Sequence, residues 1–259
     1  MKEPFFQAQN MTAYQGDTQV FENFDITIPH RQNIALLGPN GCGKSTLLKL
    51  IFRELYPVHN DPPAVLINGQ AHWNVAELRQ DIGLVSHSLY QTYHRQIKGF
   101  EVVASGFFNS IDVHEKLSPA QRQATQVALD QYDLSELSHK RMTELSSGQR
   151  QKLLLARALV HQPKILILDE PTNHLDPAAR ANFIATLRQV ATTGVQLLLV
   201  THQLSEVIPE FNRVVLLNAG RVVADGSRAL TLTSQNLSRT FNYPLIVDEH
   251  HHFYYARPA

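Results

Sequence analysis

Residues 36–46 of the sequence, LLGPNGCGKST, combine glycines, a lysine and hydroxyl side chains at a spacing that suits phosphate binding. The segment fits the pattern G-x-x-x-x-G-K-[ST] at Gly38, Gly43, Lys44 and Ser45, directly after an apolar run and before a helical pattern. Glycines allow successive backbone N–H groups to point inward, and the N-terminus of the following helix adds a positive dipole end. The stretch therefore predicts a nest for anionic phosphates.

Each part of this loop has an expected role. Lys44 would reach the β and γ phosphates of a nucleotide, and the Ser45 hydroxyl is a hard oxygen ligand that suits Mg²⁺. Cys42 lies beside a helix N-terminus and a lysine, and both favour the thiolate form of its side chain. The alternative is that cysteine occurs here only because it is small enough to fit the loop. Contacts to the nucleotide are expected along the whole loop: Gly38, Pro39, Asn40, Gly41, Cys42, Gly43, Lys44, Ser45 and Thr46.

Two further apolar runs end in polar residues. Asp169 and Glu170 follow one run, and His202 follows another. Because open α/β sheets present ligand-binding groups at the carboxyl ends of their strands, we expect Asp169 to support Mg²⁺ and Glu170 to act as general base on the attacking water. His202 would contact the γ-phosphate or orient the water. Taken singly, the carboxylates also fit a solvated turn, and the histidine fits a structural role.

The elements that must position these residues follow from hydrophobic patterning. Continuous apolar runs predict strands covered on both faces, as in a parallel sheet flanked by helices, at 33–38, 64–69, 164–170, 195–202 and 214–220. Alternation in FENFDITI (21–28) predicts a half-exposed strand that pairs antiparallel. Helical patterns cover 44–55, 118–131, 146–161 and 177–191. The fold class is therefore α/β.

Capping residues support the helix assignments. Ser118 and Gln121 form a capping box, and Asp176 with Pro177 marks the start of another helix. Residues from about 90 to 145 show helical pattern without comparable buried strands, which predicts a helical subdomain inserted into the α/β core.

Composition excludes several classes of protein. The 259-residue chain has 23 basic and 23 acidic residues, so no global charge attracts it to nucleic acid or acidic lipid. No signal-peptide pattern and no bilayer-spanning apolar run is present, which predicts a cytoplasmic protein, and the single Cys42 fits a reducing compartment. The histidines at 250–252 are interpreted as part of a solvated C-terminal tail rather than a metal site.

The order of strand, phosphate loop, helical insert, LSSGQ, ILILDE, NHLD and VTH resembles the nucleotide-binding domain of the ATP-binding cassette (ABC) family over nearly the whole chain. The resemblance implies a P-loop NTPase core of RecA-like fold, with an antiparallel β subdomain and the inserted helical subdomain at about 90–145. This ATPase domain would cover residues 1–235, and residues 236–259 would form the C-terminal tail. ATP and Mg²⁺ are the implied cofactors.

The resemblance also answers why a small, uncharged stretch starts the helix at 146. In the ABC family this signature segment caps the γ-phosphate of ATP bound to the opposite subunit of a head-to-tail dimer. The implied trans-acting residues are Ser146, Ser147, Gly148 and Gln149. A capped helix N-terminus offers an anion site, although helix capping by Ser146 and Gln149 alone would also explain the stretch.

Three other positions take their roles from the resemblance. Tyr14 looks like the aromatic residue that stacks on adenine, although it also fits an ordinary strand end. Asp176, in NHLD, belongs to the segment that crosses the dimer axis. His87 stands where the family's loop at 86–95 usually has glutamine, and imidazole is a poorer Mg²⁺ ligand than an amide oxygen.

The leading hypothesis is an ATPase subunit at the cytoplasmic face of a membrane. It would dimerise with a second copy or with a paired ABC ATPase around MgATP, and it would drive integral membrane transporter subunits without contacting nucleic acid. Alternatives are a soluble ABC-type ATPase with a non-transport role and a nucleotide-gated clamp with little hydrolysis.

Overall fold

The computed structural model describes residues 3–86, 89, 93, 96–108 and 116–259. The chain divides into two compact units, of which the first comprises Met1–Leu78 and Gln196–Ala259 and the second comprises Arg79–Val195. The second unit is thus one continuous insertion between the two parts of the first. Within the described ranges, no helix has both the length and the apolar character that crossing a membrane requires.

The strands, in chain order, are β1 (Phe6–Gln15), β2 (Thr18–Ile28), β3 (Ile34–Leu37), β4 (Val65–Ile67), β5 (Ile82–Ser86), β6 (Ile165–Asp169), β7 (Gln196–Thr201), β8 (Arg213–Asn218), β9 (Arg221–Gly226), β10 (Leu245–His250) and β11 (Phe253–Pro258). The helices are α1 (Lys44–Ile51), α2 (Val75–Gln80), α3 (Gly99–Ala104), α4 (Pro119–Gln131), α5 (Ser147–Leu159), α6 (Pro177–Ala191), α7 (Arg228–Thr231) and α8 (Ser234–Phe241). Short 3₁₀ turns lie at Ser105–Phe108, Ser135–Leu137, Met142–Glu144 and Leu204–Glu206.

The parallel strands of the first unit carry its most apolar sequence. β3 lies between β7 and β8 and is parallel to both, whereas β9 pairs antiparallel with β8. Every residue of β3 and of β7 is buried. This confirms that the continuous apolar runs at 33–38 and 195–202 form strands covered on both faces.

The antiparallel sheet of the first unit has the strand order β2-β1-β4. In β2 the buried side chains of Phe24, Ile26 and Ile28 alternate with exposed residues, as the alternating pattern predicts. The sequence did not single out β1 as an element, although it forms the centre of this sheet.

The run at 64–69 forms a strand, but its assignment to the parallel sheet is wrong. β4 pairs antiparallel with β1, with Val65 opposite Ala8 and Ile67 opposite Phe6. The strand is only three residues long, and its middle residue, Leu66, is half-buried. So short an apolar run has no period, and the sequence cannot distinguish the two sheets from it.

Residues 236–259 were expected to form a separate C-terminal tail, and the structure corrects this expectation, although the histidines at 250–252 are exposed. The expected boundary after residue 235 falls inside α8. β10 and β11 pair antiparallel as a hairpin, in which Leu245 lies opposite Pro258 and, next to the turn, His250 lies opposite Phe253. Tyr254 of this hairpin is buried, and the centroid of its ring lies 5.1 Å from the guanidinium carbon of Arg228. His251 and His252 form the turn with φ values of 50° and 66°, a conformation that hairpin turns usually give to Asn and Gly. Because histidines occupy these turn positions, the sequence lacks the Asn and Gly residues that would predict a hairpin.

The second unit contains β5 and β6, which pair in parallel with Ser86 opposite Asp169. The helical pattern predicted for 90–145 is found in α3, α4 and the intervening 3₁₀ turns. The predicted caps are also present. Ser118 Oγ accepts from the Gln121 N–H at 3.2 Å, and the Ser118 N–H donates to Gln121 Oε1 at 2.9 Å.

The Ser118→Ala substitution should lower the free energy of unfolding by about 1 kcal/mol, because the first turn of α4 loses its side-chain cap. Urea denaturation followed by circular dichroism measures this change. Ser227→Ala is the matched control, since Ser227 precedes α7 as an N-cap without a side-chain cap hydrogen bond. Equal losses for the two variants would contradict the capping role of Ser118.

Candidate functional site

The phosphate loop joins β3 to α1 in the first unit. Gly41 and Gly43 have φ values of 79° and 111°, a left-handed region that side-chain-bearing residues rarely adopt. Gly43 is the N-cap of α1, and a Cβ atom there would lie 2.8 Å from the ring of Phe21. The glycine at this position is therefore required both by its backbone angle and by the close approach of β2.

Lys44 begins α1 and is almost completely buried. Its Nζ donates hydrogen bonds to the backbone oxygens of Gly38 at 2.7 Å and Pro39 at 2.9 Å. These bonds hold the ammonium group against the loop, so the positive charge lies where the loop backbone would hold phosphate.

The two hydroxyl residues that follow Lys44 differ in their surroundings. Ser45 is exposed at the start of α1, where its hydroxyl is open to a ligand. Thr46 is buried, and its hydroxyl donates to Gln15 Oε1 at 2.9 Å. This hydrogen bond connects α1 to the end of β1. Because Gln15 accepts the hydroxyl proton of Thr46, the expected nucleotide contact of Thr46 is through its backbone N–H.

Cys42 does not have the thiolate character expected from its neighbours. The side chain is buried, and this burial raises the pKa of the Cys42 thiol, while the attraction of the Lys44 charge opposes the rise only in part. The helix N-terminus and the lysine were visible in the sequence, but the burial was not. Cys42 is therefore a small loop residue that packs inside the protein.

His202 lies at the same edge of the parallel strands as the loop. Leu37 of β3 pairs with Thr201 of β7, and the Gly38 N–H donates to the Thr201 oxygen at 3.3 Å. Since Gly38 and His202 directly follow the paired residues, the structure brings the half-buried histidine beside the start of the loop.

Tyr14 belongs to the same unit and lies near the end of β1, beside the Gln15 that binds Thr46. Its side chain is 42% exposed, so its ring is available for stacking.

The acidic pair lies in the second unit. Asp169 ends β6 opposite Ser86, and Glu170 follows in the left-handed region with φ 48°. The Asn173 amide donates to the Glu170 carboxylate, and the Asn173 N–H donates to the Glu170 backbone oxygen at 3.2 Å. Asn173 was missed as a candidate, although its spacing of three residues from the carboxylate is typical of a turn. It fixes the orientation of the carboxylate that is expected to act as base.

The signature segment forms the capped start of α5 in the second unit. Ser146 Oγ accepts from the Gln149 N–H at 3.2 Å, and the Ser146 N–H donates to Gln149 Oε1 at 2.9 Å. Ser146 and Ser147 are exposed. A Cβ atom at Gly148 would lie 2.9 Å from the Cβ of Ala179, so the glycine allows α5 to approach α6 closely. The arrangement presents a helix N-terminus with small residues around it.

Asp176 caps α6, because its Oδ1 accepts from the Ala179 N–H at 2.8 Å. The predicted N-cap is therefore confirmed, and the carboxylate is exposed. His87 lies outside the described residues.

The predicted residues form two groups, one in each unit. The first unit holds Tyr14, the phosphate loop and His202, and the second holds Asp169, Glu170, the signature residues and Asp176. Each group contains a helix N-terminus and a side chain for which the sequence predicts a catalytic role, His202 in the first unit and Glu170 in the second.

Comparison with known proteins identifies the family in which this set of residues occurs. The model of the family described as ABC transporter matches residues 21–173, which include the phosphate loop, the signature and the acidic pair. The chain belongs to the ABC transporter family. It is an ATP-binding subunit of that family and hydrolyses ATP. A second family model, described as an AAA domain, matches residues 139–208.

Individual relatives agree with this membership. The chain is 32% identical over 244 residues to the uncharacterized ABC transporter ATP-binding protein YlmA of Bacillus subtilis (strain 168), covering 93% of this chain and 92% of YlmA. It is 31% identical to the spermidine/putrescine import ATP-binding protein PotA of Haemophilus influenzae (strain ATCC 51907 / DSM 11121 / KW20 / Rd), over 87% of this chain and 58% of PotA. The chain thus spans little more than half the length of that relative.

A solved structure is similar over the full chain. It is that of an ABC transporter in an inward-facing conformation, described as of the metal-chelate type, and it superposes with a TM-score of 0.81 at 27% identity. The match covers 100% of this chain and 98% of the other. The likeness confirms the predicted P-loop NTPase fold.

Cys42 should react slowly with N-ethylmaleimide at neutral pH, because its thiol is buried and its pKa is raised. We expect labelling of the folded protein to be at least about tenfold slower than labelling of the urea-denatured chain. The folded-state rate should increase only at pH values above the ordinary range for a thiol. Rapid stoichiometric labelling of the folded protein at pH 7, measured by mass spectrometry, would contradict the buried thiol.

Proposed function

We propose that the first unit binds the phosphates and base of ATP through the loop after β3. The observation that carries this proposal is the position of Lys44, whose ammonium is held by the loop's own backbone oxygens at 2.7 and 2.9 Å. A bound phosphate offers that ammonium negatively charged acceptors in place of neutral ones, and charge-assisted hydrogen bonds are the stronger kind. Tyr14 stacks on the adenine ring with its exposed side chain.

The residues present also fit Mg²⁺. The exposed Ser45 hydroxyl and the Asp169 carboxylate are hard oxygen donors, the type that Mg²⁺ prefers, and nucleotide phosphates supply further oxygens. We therefore assign Ser45 and Asp169 to the metal. When bound, the ion would supply positive charge that offsets the charge developing on the transferred phosphoryl group.

Glu170 is the general base in this proposal. The Asn173 amide donates to its carboxylate and so orients the group, and a carboxylate at a strand end can take the proton of an attacking water. His202 contacts the γ-phosphate or orients this water, because an imidazole ring N–H can donate a hydrogen bond to an oxygen atom.

The signature residues complete the nucleotide site of a second chain. Ser146 and Ser147 are exposed at the start of α5, so the helix N-terminus is open to an anion carried by a partner. In a head-to-tail dimer, each α5 caps the γ-phosphate bound to the other chain's loop, and Asp176 lies in the segment that crosses the dimer axis. ATP therefore joins the chains, and hydrolysis removes the bridging phosphate and loosens them.

The dimer drives integral membrane subunits from the cytoplasmic face of the membrane. Import is the direction we propose, since the PotA relative is named an import ATP-binding protein. The names of the similar proteins give different transported substrates: spermidine and putrescine for one, and a metal chelate for another. We therefore propose that the membrane partner determines which substrate is transported.

Lys44→Ala should abolish ATP hydrolysis and weaken nucleotide binding strongly, because the loop loses its positive charge. Phosphate release and equilibrium binding of a fluorescent ATP analogue measure the two effects. Lys49→Ala is the control, since Lys49 lies in the last turn of the same helix. Turnover at the parent rate in Lys44→Ala would contradict the assignment of the phosphate loop.

Glu170→Gln should bind ATP but hydrolyse it about a thousandfold more slowly, because an amide cannot take the proton of the attacking water. The stalled chain should migrate as an ATP-dependent dimer in gel filtration. Glu136→Gln, an exposed position in the same unit, should behave as the parent. Parent-like hydrolysis by Glu170→Gln would show that another group is the base.

A further inference from the structure

A buried hydrogen-bond network centred on Ser105 lies in the second unit and takes no part in the function described above. Its side chains are those of Tyr93, Ser105 and Arg157, which are 7%, 0% and 7% exposed. The three residues come from separate parts of the chain: the stretch between β5 and α3, the turn after α3, and α5.

The directions of the hydrogen bonds follow from the chemistry of one hydroxyl. Ser105 Oγ donates to the Val102 backbone oxygen at 2.7 Å, which uses its only proton. Its lone pairs must then accept from the other two partners, the Tyr93 hydroxyl at 2.9 Å and Arg157 Nε at 3.2 Å. Ser105 therefore joins the tyrosine to the arginine in a fully determined arrangement.

The network packs closely against α5, the helix that begins with the signature residues. Arg157 lies on α5, the helix whose first turn carries the signature residues. A Cβ atom at Gly106 would lie only 2.2 Å from the Arg157 backbone oxygen, so the turn that contains Ser105 packs directly on α5. Two residues beyond the end of the same helix, His161 Nε2 lies 3.3 Å from the backbone oxygen of Ile82 in β5. Arg157 and the signature residues belong to one continuous helix, and rigid secondary elements can carry coupling between two sites.

We propose that Tyr93 is a positioning residue of the ATPase reaction, whose hydroxyl acts through Ser105 and Arg157 to set the place of the signature turn. Tyr93 lies in the stretch 86–95, in which His87 stands where the family usually has glutamine. The network thus joins Tyr93 to the helix whose first turn is proposed to close the partner's nucleotide site. This inference rests on the proposed dimer in which the signature acts in trans.

Tyr93→Phe tests the proposal, because it removes one hydroxyl and keeps the buried ring. The matched control is Tyr132→Phe, which makes the same change at a tyrosine of the same unit that is also 7% exposed. Each variant is made in the full chain, alone and combined with Glu170→Gln. The measurements are kcat and KM for ATP, the dissociation constant of the ATP-dependent dimer, nucleotide binding by the monomer, and the melting temperature.

We expect Tyr93→Phe to weaken the Glu170→Gln dimer and to lower kcat, each by about five- to tenfold, which is the scale of one buried hydrogen bond. Monomeric nucleotide binding should not change, since the phosphate loop lies in the other unit. Tyr132→Phe should leave kcat and dimer affinity at parent values. Ser105→Ala should reproduce the effect, and the Tyr93→Phe/Ser105→Ala pair should be no worse than either single change.

A Tyr93→Phe protein with parent kcat and dimer affinity would overturn the proposal, as would equal losses in Tyr93→Phe and Tyr132→Phe that follow the melting temperature. Additive effects of Tyr93→Phe and Ser105→Ala would also overturn it. If Glu170→Gln itself never dimerises with ATP, the trans-acting signature fails, which is a result distinct from any of these.

Discussion

The proposed function depends on one interaction: the binding of a phosphate group by backbone N–H donors at the start of a helix. At α1 the donors are arranged by glycines in the left-handed region, and Lys44 adds a full positive charge. At α5 the donors are left accessible by small residues, and the side chains of Ser146 and Gln149 satisfy only each other's backbone N–H groups. Two such helix starts on separate chains provide a simple way for one nucleotide to hold a dimer together.

Steric constraints on glycine limit how these two sites can vary. Gly43 is fixed by its φ of 111° and by the Phe21 ring 2.8 Å from the position of its missing Cβ. Gly148 is constrained instead by Ala179 of α6, whose Cβ lies 2.9 Å from the position of the missing Cβ, so it is a packing residue as well as a proposed phosphate contact. The close approach of α5 and α6 also places the signature next to Asp176, the cap of α6. A substitution at Gly148 therefore changes both the ligand site and the packing of the helix that carries it.

Much of the fold followed from the sequence because its signals were local. The buried runs of β3 and β7, and the caps at Ser118, Ser146 and Asp176, depend on residues near each other in the chain, and the structure confirms them. The partner of β4, by contrast, is set by tertiary pairing with β1 that a three-residue strand does not encode. The β10–β11 hairpin was missed because histidines occupy its turn.

The features of the candidate site likewise divide into those that local sequence predicts and those that depend on tertiary packing. The phosphate loop and the acidic pair were recognisable from spacing, whereas the burial that raises the pKa of Cys42 depends on packing around the loop. The amide of Asn173 beside Glu170, and the commitment of the Thr46 hydroxyl to Gln15, likewise needed coordinates.

The central claim is that each chain closes the other's nucleotide site, and mixing two inactive variants tests it most directly. Lys44→Ala inactivates the loop, and Ser147→Glu places a carboxylate at the first position of α5, where it suits the helix dipole but repels phosphate. Neither homodimer has an intact site, but the mixed dimer has one, formed by the loop of one variant and the signature of the other. The account predicts that an equimolar mixture regains about a quarter of the parent ATPase rate if intact sites turn over independently. A mixture as inactive as its components, although mixed dimers form, would contradict the account.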